Sequence, residues 1–464
     1  VNAPHIPVHL GSLGVCVRQV LKKIKIHEGD VIITNHPAFG GSHLPDVTLI
    51  KAVFANKKLV GYVANRAHHA EIGGRNPGSM PADATTLEEE GAIITPTYLV
   101  KKGAPQWEAI KKIFTGAKYP TRLWEENRAD INGALAAITF GETALQELCK
   151  TYKTNSIKIY MKMLRDHASS LLHERLKQLS SKAFKADERL DDGSKLKVAV
   201  HLKQNKLIID FSGSSSVHPG NLNANYAIVQ SVVLYVLRLL VNKPIPMNEG
   251  LMERVKLMLP HGLLNPDFVN GKLPAVVGGN TEVSQRLTDT LLKAFQLAAC
   301  SQGTMNNFLF GNEHFGYYET ICGGTGAGPG FDGANAVHQH MTNTRITDPE
   351  ILELRYPVRL EKFEIRKRSG GKGRWKGGDG IVRELFFKEK LVLNILSQHR
   401  VEKPYGMKGG LPGKTGQQVI IRKNGQVQKL KGMDSTMVNE GDRIIILTPG
   451  GGGYGRVPVS SRKS

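Results

Sequence analysis

GDVIITNHPAFGGSHLPDV, residues 29–47, and VGYVANRAHHAEIGG, residues 60–74, decide how this chain is read. The β-branched run after Asp30 predicts a strand, and Pro37, Gly40, Gly41 and Pro45 predict a long turn behind it. VTLIKAVFANKKLVGYVAN then predicts a hairpin turning at Asn56. Each quoted stretch carries a histidine and an acid separated by two residues: His43 with Asp46, and His68 with Glu71, with His69 between. Imidazole plus carboxylate suits a divalent metal such as Zn, Mn or Fe. The two turns are therefore expected to meet and hold a catalytic metal. The competing reading is a buried polar network in which each carboxylate fixes a histidine tautomer. Extended backbone sends neighbouring side chains to opposite sides, so His68 and His69 divide between the metal and a substrate or supporting role.

Working outward, VNAPHIPVHLG reads as strand-like. Val15, Val17, Val20, Leu21 and Ile24 follow at helical spacing. RAHHAEIGGRNPGSMPADATTLEEEGAII is a long polar loop, of a length that is usually functional. Asp83 falls in it as a spare carboxylate, and Glu88, Glu89 and Glu90 read as a solvated helix N-terminus. Residues 106–190 form an amphipathic helical segment carrying Ile110, Ile131, Leu135, Ile138, Leu148, Tyr160, Met163, Leu164 and Leu172, read as scaffold. From about 193 the pattern turns to strands, with a hairpin at Gln204–Asn205. AIVQSVVLYVLRLLV is apolar enough to be a buried helix, and a further helix enters at Thr281 or Ser284. The region after 353 is β-rich and closes on a disordered tail, RVPVSSRKS. The fold class expected is α+β, with a helical middle and a β-rich C-terminal region. Its parts are 1–105, 106–190, 191–352 and 353–464.

With 464 residues, 40% of them hydrophobic, the chain can bury a sizeable core. It has no apolar run of the roughly eighteen residues a membrane helix needs. Cys16, Cys149, Cys300 and Cys322 are far apart and form no CxxC pair, which argues against a zinc ribbon or a disulfide scaffold and for a reducing, cytoplasmic setting. The net charge is +21, but the lysines are spread and aromatics are only 6%, so no arginine-rich stripe with interleaved aromatics points to nucleic acid. No GxGxxG, Walker A or GxSxG pattern is present. Any ATP chemistry would belong to another subunit.

Two further constellations stand out. In TGAGPGFDGANAVHQHMTNTR, residues 325–345, Gly326, Gly328 and Gly330 allow close backbone approach to a ligand. His338 and His340 share a face, and Arg345 offers a fork for a substrate carboxylate. The competing reading is a glycine-rich structural crossover. The second holds Asn306, Asn307, Tyr317, Tyr318 and Glu319, polar groups able to orient a ring or an oxyanion. Cys322 beside Ile321 reads as an inert buried thiol.

At GDVIITNHPAFGGSHLPDVTLI, ANRAHHAEIGG, GGNTEVSQR, SQGTMNNFLFGN and YYETICGGTGAGPGFDGANAVHQHMTNTRITDPEILELRYPVRLE the chain resembles the hydantoinase B/5-oxoprolinase family, which includes acetone carboxylase alpha subunits. The matching segments run from end to end. The resemblance implies a subunit or domain that opens a small cyclic amide, 5-oxoproline or a hydantoin, with ATP spent by an A-type ATP-binding partner in an oligomer. It implies a divalent metal (Mn, Zn or Fe) on His43, Asp46 and His68. Catalytic work would fall to His69, Glu71, Asn306, Asn307, His338 and His340, and substrate binding to Gly326, Gly328, Gly330 and Arg345. The alternatives are a metal-dependent ketone carboxylase subunit and a non-catalytic basic binding or assembly subunit. Two departures are visible. His36 stands where the family usually has Asp, and a helical portion preceding PHIPVHLG is missing, as expected of a fragment or processed chain.

Overall fold

The computed structural model describes residues 6–179, 183–203, 206–268 and 272–457. Helices and several sheets coexist in an α+β arrangement, as expected. The hairpin turn at Gln204–Asn205 and the end of the tail, 458–464, lie outside the described residues.

The first sheet is built by the opening stretch. β1 (Val31–Thr34) is buried along its whole length, and β2 (Asp46–Ala55) and β3 (Lys58–His68) form the hairpin about Asn56 and Lys57, both at positive φ. β4 (Thr97–Lys101) and β5 (Ala104–Pro105) complete the order β3-β2-β1-β4-β5. α1 (Ser12–Lys23) turns Val15, Cys16 and Val20 inward and packs with Ile32 and Ile50 of the sheet. The residues before it do not continue as a strand. Pro7–His9 is a 3-10 turn with proline at its start, a position for which proline's fixed φ and missing N–H are suited.

The helical middle is three helices, α2 (Trp107–Thr115), α3 (Trp124–Tyr152) and α4 (Thr154–Gln178), and it ends before 190, where Phe184–Arg189 is already a strand. α3 lies on the first sheet, where Asn65 Nδ2 donates to the Ala134 carbonyl at 2.7 Å. The chain breaks at Lys153, φ 66°, and α4 runs to a second core through Ala168, Leu172 and Leu176. Leu148, Tyr160, Met163 and Leu164, read above as scaffold, are exposed. Between the two cores these helices bury only a small cluster of Val60, Cys149 and Ile157, and the four residues lie outside it.

That second core combines β6 (Phe184–Arg189), β7 (Lys195–Lys203), β8 (Lys206–Asp210) and β9 (Val255–Met258) with α5 (Tyr226–Val241) and α6 (Ser284–Ala294). α5 is buried along most of its length, as its apolar run requires. The third part is two antiparallel sheets around one core. One joins β10 (Asn307–Gly311), β11 (Gly316–Thr320), β14 (Leu391–Leu396) and β17 (Met433–Val438). The other joins β12 (Val358–Arg366), β13 (Gly380–Phe387), β15 (Gln417–Ile421), β16 (Val427–Lys429) and β18 (Arg443–Leu447). The short α7 (Pro349–Arg355) leads into β12.

Glycine-rich segments cross one another beside these sheets. Gly451 accepts a hydrogen bond from Gly371 N and donates one to the Gly378 carbonyl, and a Cβ on it would lie 1.8 Å from the Thr325 carbonyl oxygen. Backbone cannot yield as a flexible side chain does. Gly451→Ala is therefore expected to lower unfolding stability by at least the ~1–3 kcal/mol of an overpacked core, read as a fall in the denaturant midpoint. An unchanged midpoint would show that these crossings are loose.

Glu90 is not a solvated residue of a helix N-terminus. It is fully buried, and its carboxylate accepts from Val276 N (2.9 Å) and Val277 N (2.9 Å), tying the long loop to the segment ahead of α6. Burial raises its pKa to about 8, against the lowering effect of those two N–H groups. In the unfolded chain it ionises near 4.5. Between these values the folded state holds the proton that the unfolded state has lost, so stability is full below about 4.5 and falls as pH rises toward 8. Glu90→Gln should flatten that slope in a pH series of thermal unfolding curves; an identical slope would remove Glu90 as its source.

Candidate metal centre

Register brings the two sequence motifs together. Asp46, the first residue of β2, pairs directly with His68, the last of β3. His43 sits in the turn just before, where its carbonyl accepts from Asp46 N at 3.0 Å. His43 Nε2 lies 3.1 Å from Asp46 Oδ2 and 3.3 Å from His68 Nδ1, and His68 Nδ1 lies 3.3 Å from Asp46 Oδ1. One ligand atom from each of the three falls within 4.8 Å of the others. His43 and Asp46 are buried, and His68 is partly so.

The donor set fits a divalent cation. Bonds of about 2.0–2.2 Å to N and O ligands put adjacent ligand atoms roughly 3 Å apart, the spacing seen here. Two imidazole nitrogens facing each other at 3.3 Å need a shared proton or a shared cation between them. The remaining nitrogens, His43 Nδ1 and His68 Nε2, are buried without a hydrogen-bond partner.

Asp46 is held from behind. Its Oδ2 accepts from Ser42 Oγ at 2.8 Å and meets His9 Nε2 at 2.8 Å. Arg66 reaches Ser42 and Ser12 with one nitrogen and the Gly40 carbonyl with another, clamping the turn. Burial alone would raise the Asp46 pKa, but His43 and His9 outweigh it and hold the carboxyl well below its usual range. The His68 ring packs on Tyr318, centroids 5.1 Å apart. Tyr318 Oη donates to Asn307 Oδ1 at 2.9 Å. A cavity of about 190 Å³ opens on this cluster, lined by His43, His68, Tyr318, Asn280, Thr344 and Arg345 among others. At ~30 Å³ per water, it has room for a small ring.

The other sequence candidates lie elsewhere. His69 turns away from His68, as alternation requires. It is buried 3.3 Å from Asn127 Nδ2, and burial, with His68 nearby, lowers its pKa to about 4. Glu71 is engaged by the chain itself: it accepts from Arg122 Nη1 (2.8 Å), Thr121 Oγ1 (2.7 Å) and Gly73 N (2.7 Å). His36 caps the 3-10 turn Pro37–Phe39, its Nδ1 accepting from Ala38 N, and stands outside the cluster. Asp83 pairs with Arg75 at the surface.

Asn306 and Asn307 are buried and committed. Asn306 donates to Gln302 Oε1 and the Ile321 carbonyl and accepts from Arg400, while Asn307 donates to Glu282 Oε1 and the Leu396 carbonyl. His340 lies in another buried network, 3.3 Å from both Tyr235 Oη and Asp289 Oδ1, and His338 is partly buried with Nδ1 unpartnered. The cavity lining includes Arg345 but none of His338, His340, Gly326, Gly328 and Gly330. A Cβ on Gly326 would lie 1.9 Å from the Ala299 carbonyl oxygen, and one on Gly328 would enter the Phe331 ring; Gly330 has open space and φ +99°. At the first two positions glycine is required by the chain's own packing.

Sequence reading missed His9, Ser42 and Arg66 as parts of this centre. His9 carried the only local hint, a lone imidazole in a proline-led turn. The four cysteines are buried and unpaired, and among the described residues no helix is long and apolar enough to cross a membrane.

A family model described as Hydantoinase B/oxoprolinase matches residues 1–457. The chain is 44% identical over 481 residues to 5-oxoprolinase 1 of Arabidopsis thaliana, covering 98% of this chain and 38% of that protein. It thus spans about two-fifths of the length of that curated relative. An ATP-dependent caprolactamase structure from Pseudomonas jessenii superposes with TM-score 0.88 at 25% identity, over 98% of this chain and 83% of that one. An acetone carboxylase structure shares the fold, with TM-score 0.84 at 16% identity over 97% and 68% of the two chains.

Proposed function

The chain belongs to the hydantoinase B/oxoprolinase family, and from that premise we propose that it is the ring-opening subunit or domain of an ATP-dependent cyclic-amide hydrolase, working with an A-type ATP-binding partner. The observation that carries this reading is the convergence of His43, Asp46 and His68 on the wall of a small cavity that also presents Arg345. The names of the relatives support it. One is a 5-oxoprolinase and one is an ATP-dependent caprolactamase, both words for the opening of a lactam.

His43, Asp46 and His68 would hold a divalent cation, Mn, Zn or Fe. Such an ion supplies Lewis-acid chemistry, polarising an oxygen or acidifying a water. The rest falls to side chains. Arg345 binds a substrate carboxylate by charge and fork geometry. Tyr318 walls the cavity against the His68 ring and excludes bulk water from that side. His9 and Ser42 keep Asp46 oriented, and His43 and His9 hold it anionic, so the carboxylate is ready for a cation rather than a proton.

The test mixes this chain with an A-type ATP-binding subunit, ATP and 5-oxoproline or a hydantoin. Ring-opened product and ADP are expected only when both proteins are present. Product that forms equally well without this chain would overturn the proposal, and ketone consumption dependent on bicarbonate would replace it with the carboxylase reading.

A further inference from the structure

Behind the cavity one ring contact and two hydrogen bonds lead from His68 through Tyr318 and Asn307 to a buried acid. Residues Gly279–Val283 form a π-helical turn directly ahead of α6. Such turns insert an extra residue into a helix and are frequent at functional sites. This one is wedged in place, since a Cβ on Gly279 would lie 1.9 Å from the Asn223 carbonyl oxygen. The turn carries Glu282, which has no exposed surface. Glu282 Oε1 accepts from Asn307 Nδ2 at 2.7 Å and from Met305 N at 3.1 Å, while Oε2 is buried with no partner. Asn307 Oδ1 in turn accepts from Tyr318 Oη, and the Tyr318 ring lies against His68.

The direction of each bond follows from its neighbour. With Asn307 Nδ2 drawn to Glu282 and to the Leu396 carbonyl, its Oδ1 must face Tyr318. The hydroxyl bond to Asn307 holds Tyr318 in the cavity wall, where its ring packs against His68. A fully buried carboxyl group is costly even with these bonds, and an apolar residue would be cheaper if packing were its only role.

We propose that Glu282 is a positioning residue for the metal centre, acting on His68 through Asn307 and Tyr318. This rests on the reading of His43, Asp46 and His68 as metal ligands. Glu282 itself lies outside the cluster and does not line the cavity. Its carboxyl oxygen Oε1 orients the Asn307 amide, which orients the Tyr318 phenol.

The test is Co²⁺ titration of the purified chain, followed by visible absorption, with thermal unfolding run alongside. Glu282→Ala is expected to weaken Co²⁺ binding about 10- to 100-fold, the range for partners that orient ligands. Glu282→Gln, which keeps an acceptor oxygen, should restore affinity to near wild type. Tyr318→Phe removes the hydroxyl and keeps the ring, and should weaken binding about as much as Glu282→Ala does. The double variant Glu282→Ala/Tyr318→Phe should be no weaker than Glu282→Ala alone, because both changes cut one chain; independent structural roles would multiply. Unchanged affinity in a folded Glu282→Ala protein, or multiplying effects, overturns the proposal. If Glu282→Ala does not fold, Tyr318→Phe decides, and wild-type affinity there is the overturning result. A wild type that binds no Co²⁺ removes the metal centre and this inference together. A wild type that binds through His43 with Glu282 irrelevant removes the inference alone.

Discussion

Asp46→Asn should leave a folded protein that no longer retains a divalent metal and has lost at least about a thousand-fold in turnover, the order expected when several kcal/mol of Lewis-acid stabilisation disappears. Asp46 supplies the only carboxylate of the cluster and is the common partner of His9, Ser42, His43 and His68. Asparagine keeps the shape and one acceptor oxygen, but it removes the charge that attracts both a cation and the imidazoles. The alanine variant is a poorer test. It would strand the buried Ser42 hydroxyl and the His9 imidazole, at about 1–3 kcal/mol for each unsatisfied group, and so mix unfolding with chemistry. Elemental analysis of the purified variant reads the metal, and circular dichroism reads the fold. Wild-type metal content in Asp46→Asn would mean that the cluster is a polar network and not a ligand set.

Arg383→Met is expected to give the largest loss of stability, about 3–5 kcal/mol, the cost of stripping one partner from a buried ion pair. Arg383 on β13 makes two bonds to Glu319 on β11, Nε to Oε1 at 2.7 Å and Nη2 to Oε2 at 3.0 Å, with both side chains almost fully buried. The pair bridges the two sheets of the third core, and Tyr317 Oη adds a bond to Glu319 at 2.8 Å. Without the guanidinium, Glu319 becomes an uncompensated buried charge. Adding Glu319→Gln to Arg383→Met should recover a large part of the loss, because it removes the orphaned charge. Denaturant unfolding of the single and double variants measures this. A single variant within 1 kcal/mol of wild type, well below the buried-pair range, would show that water reaches the site.

The two chemistries differ in how visible they were beforehand. The Asp46 cluster was legible because its residues sit at the ends of two strands of one hairpin, and a hairpin's register follows from its turn. The Arg383–Glu319 pair had no local signature. Its partners lie on strands of different sheets, and each alone reads as an ordinary charged residue on a strand. The same limit explains Glu71. Its spacing from His68 copied that of Asp46 from His43, yet Arg122, arriving from the connection between α2 and α3, takes its carboxylate out of reach. The glycines of 325–345 were read as room for a ligand. Gly326 and Gly328 are instead filled by the chain's own backbone and by Phe331.

From the order of residues alone came the α+β class, the hairpin of β2 and β3, the buried α5, the opposed directions of His68 and His69, and the pairing of His43 and Asp46 with His68. All of these depend on backbone periodicity and on turns between near neighbours, which a short window of sequence contains. Tertiary structure alone decided that His9 and Ser42 hold Asp46, that Arg122 claims Glu71, and that Glu282 reaches toward the centre through Asn307 and Tyr318. Those choices depend on which distant segment closes against which, and packing of the whole chain selects it.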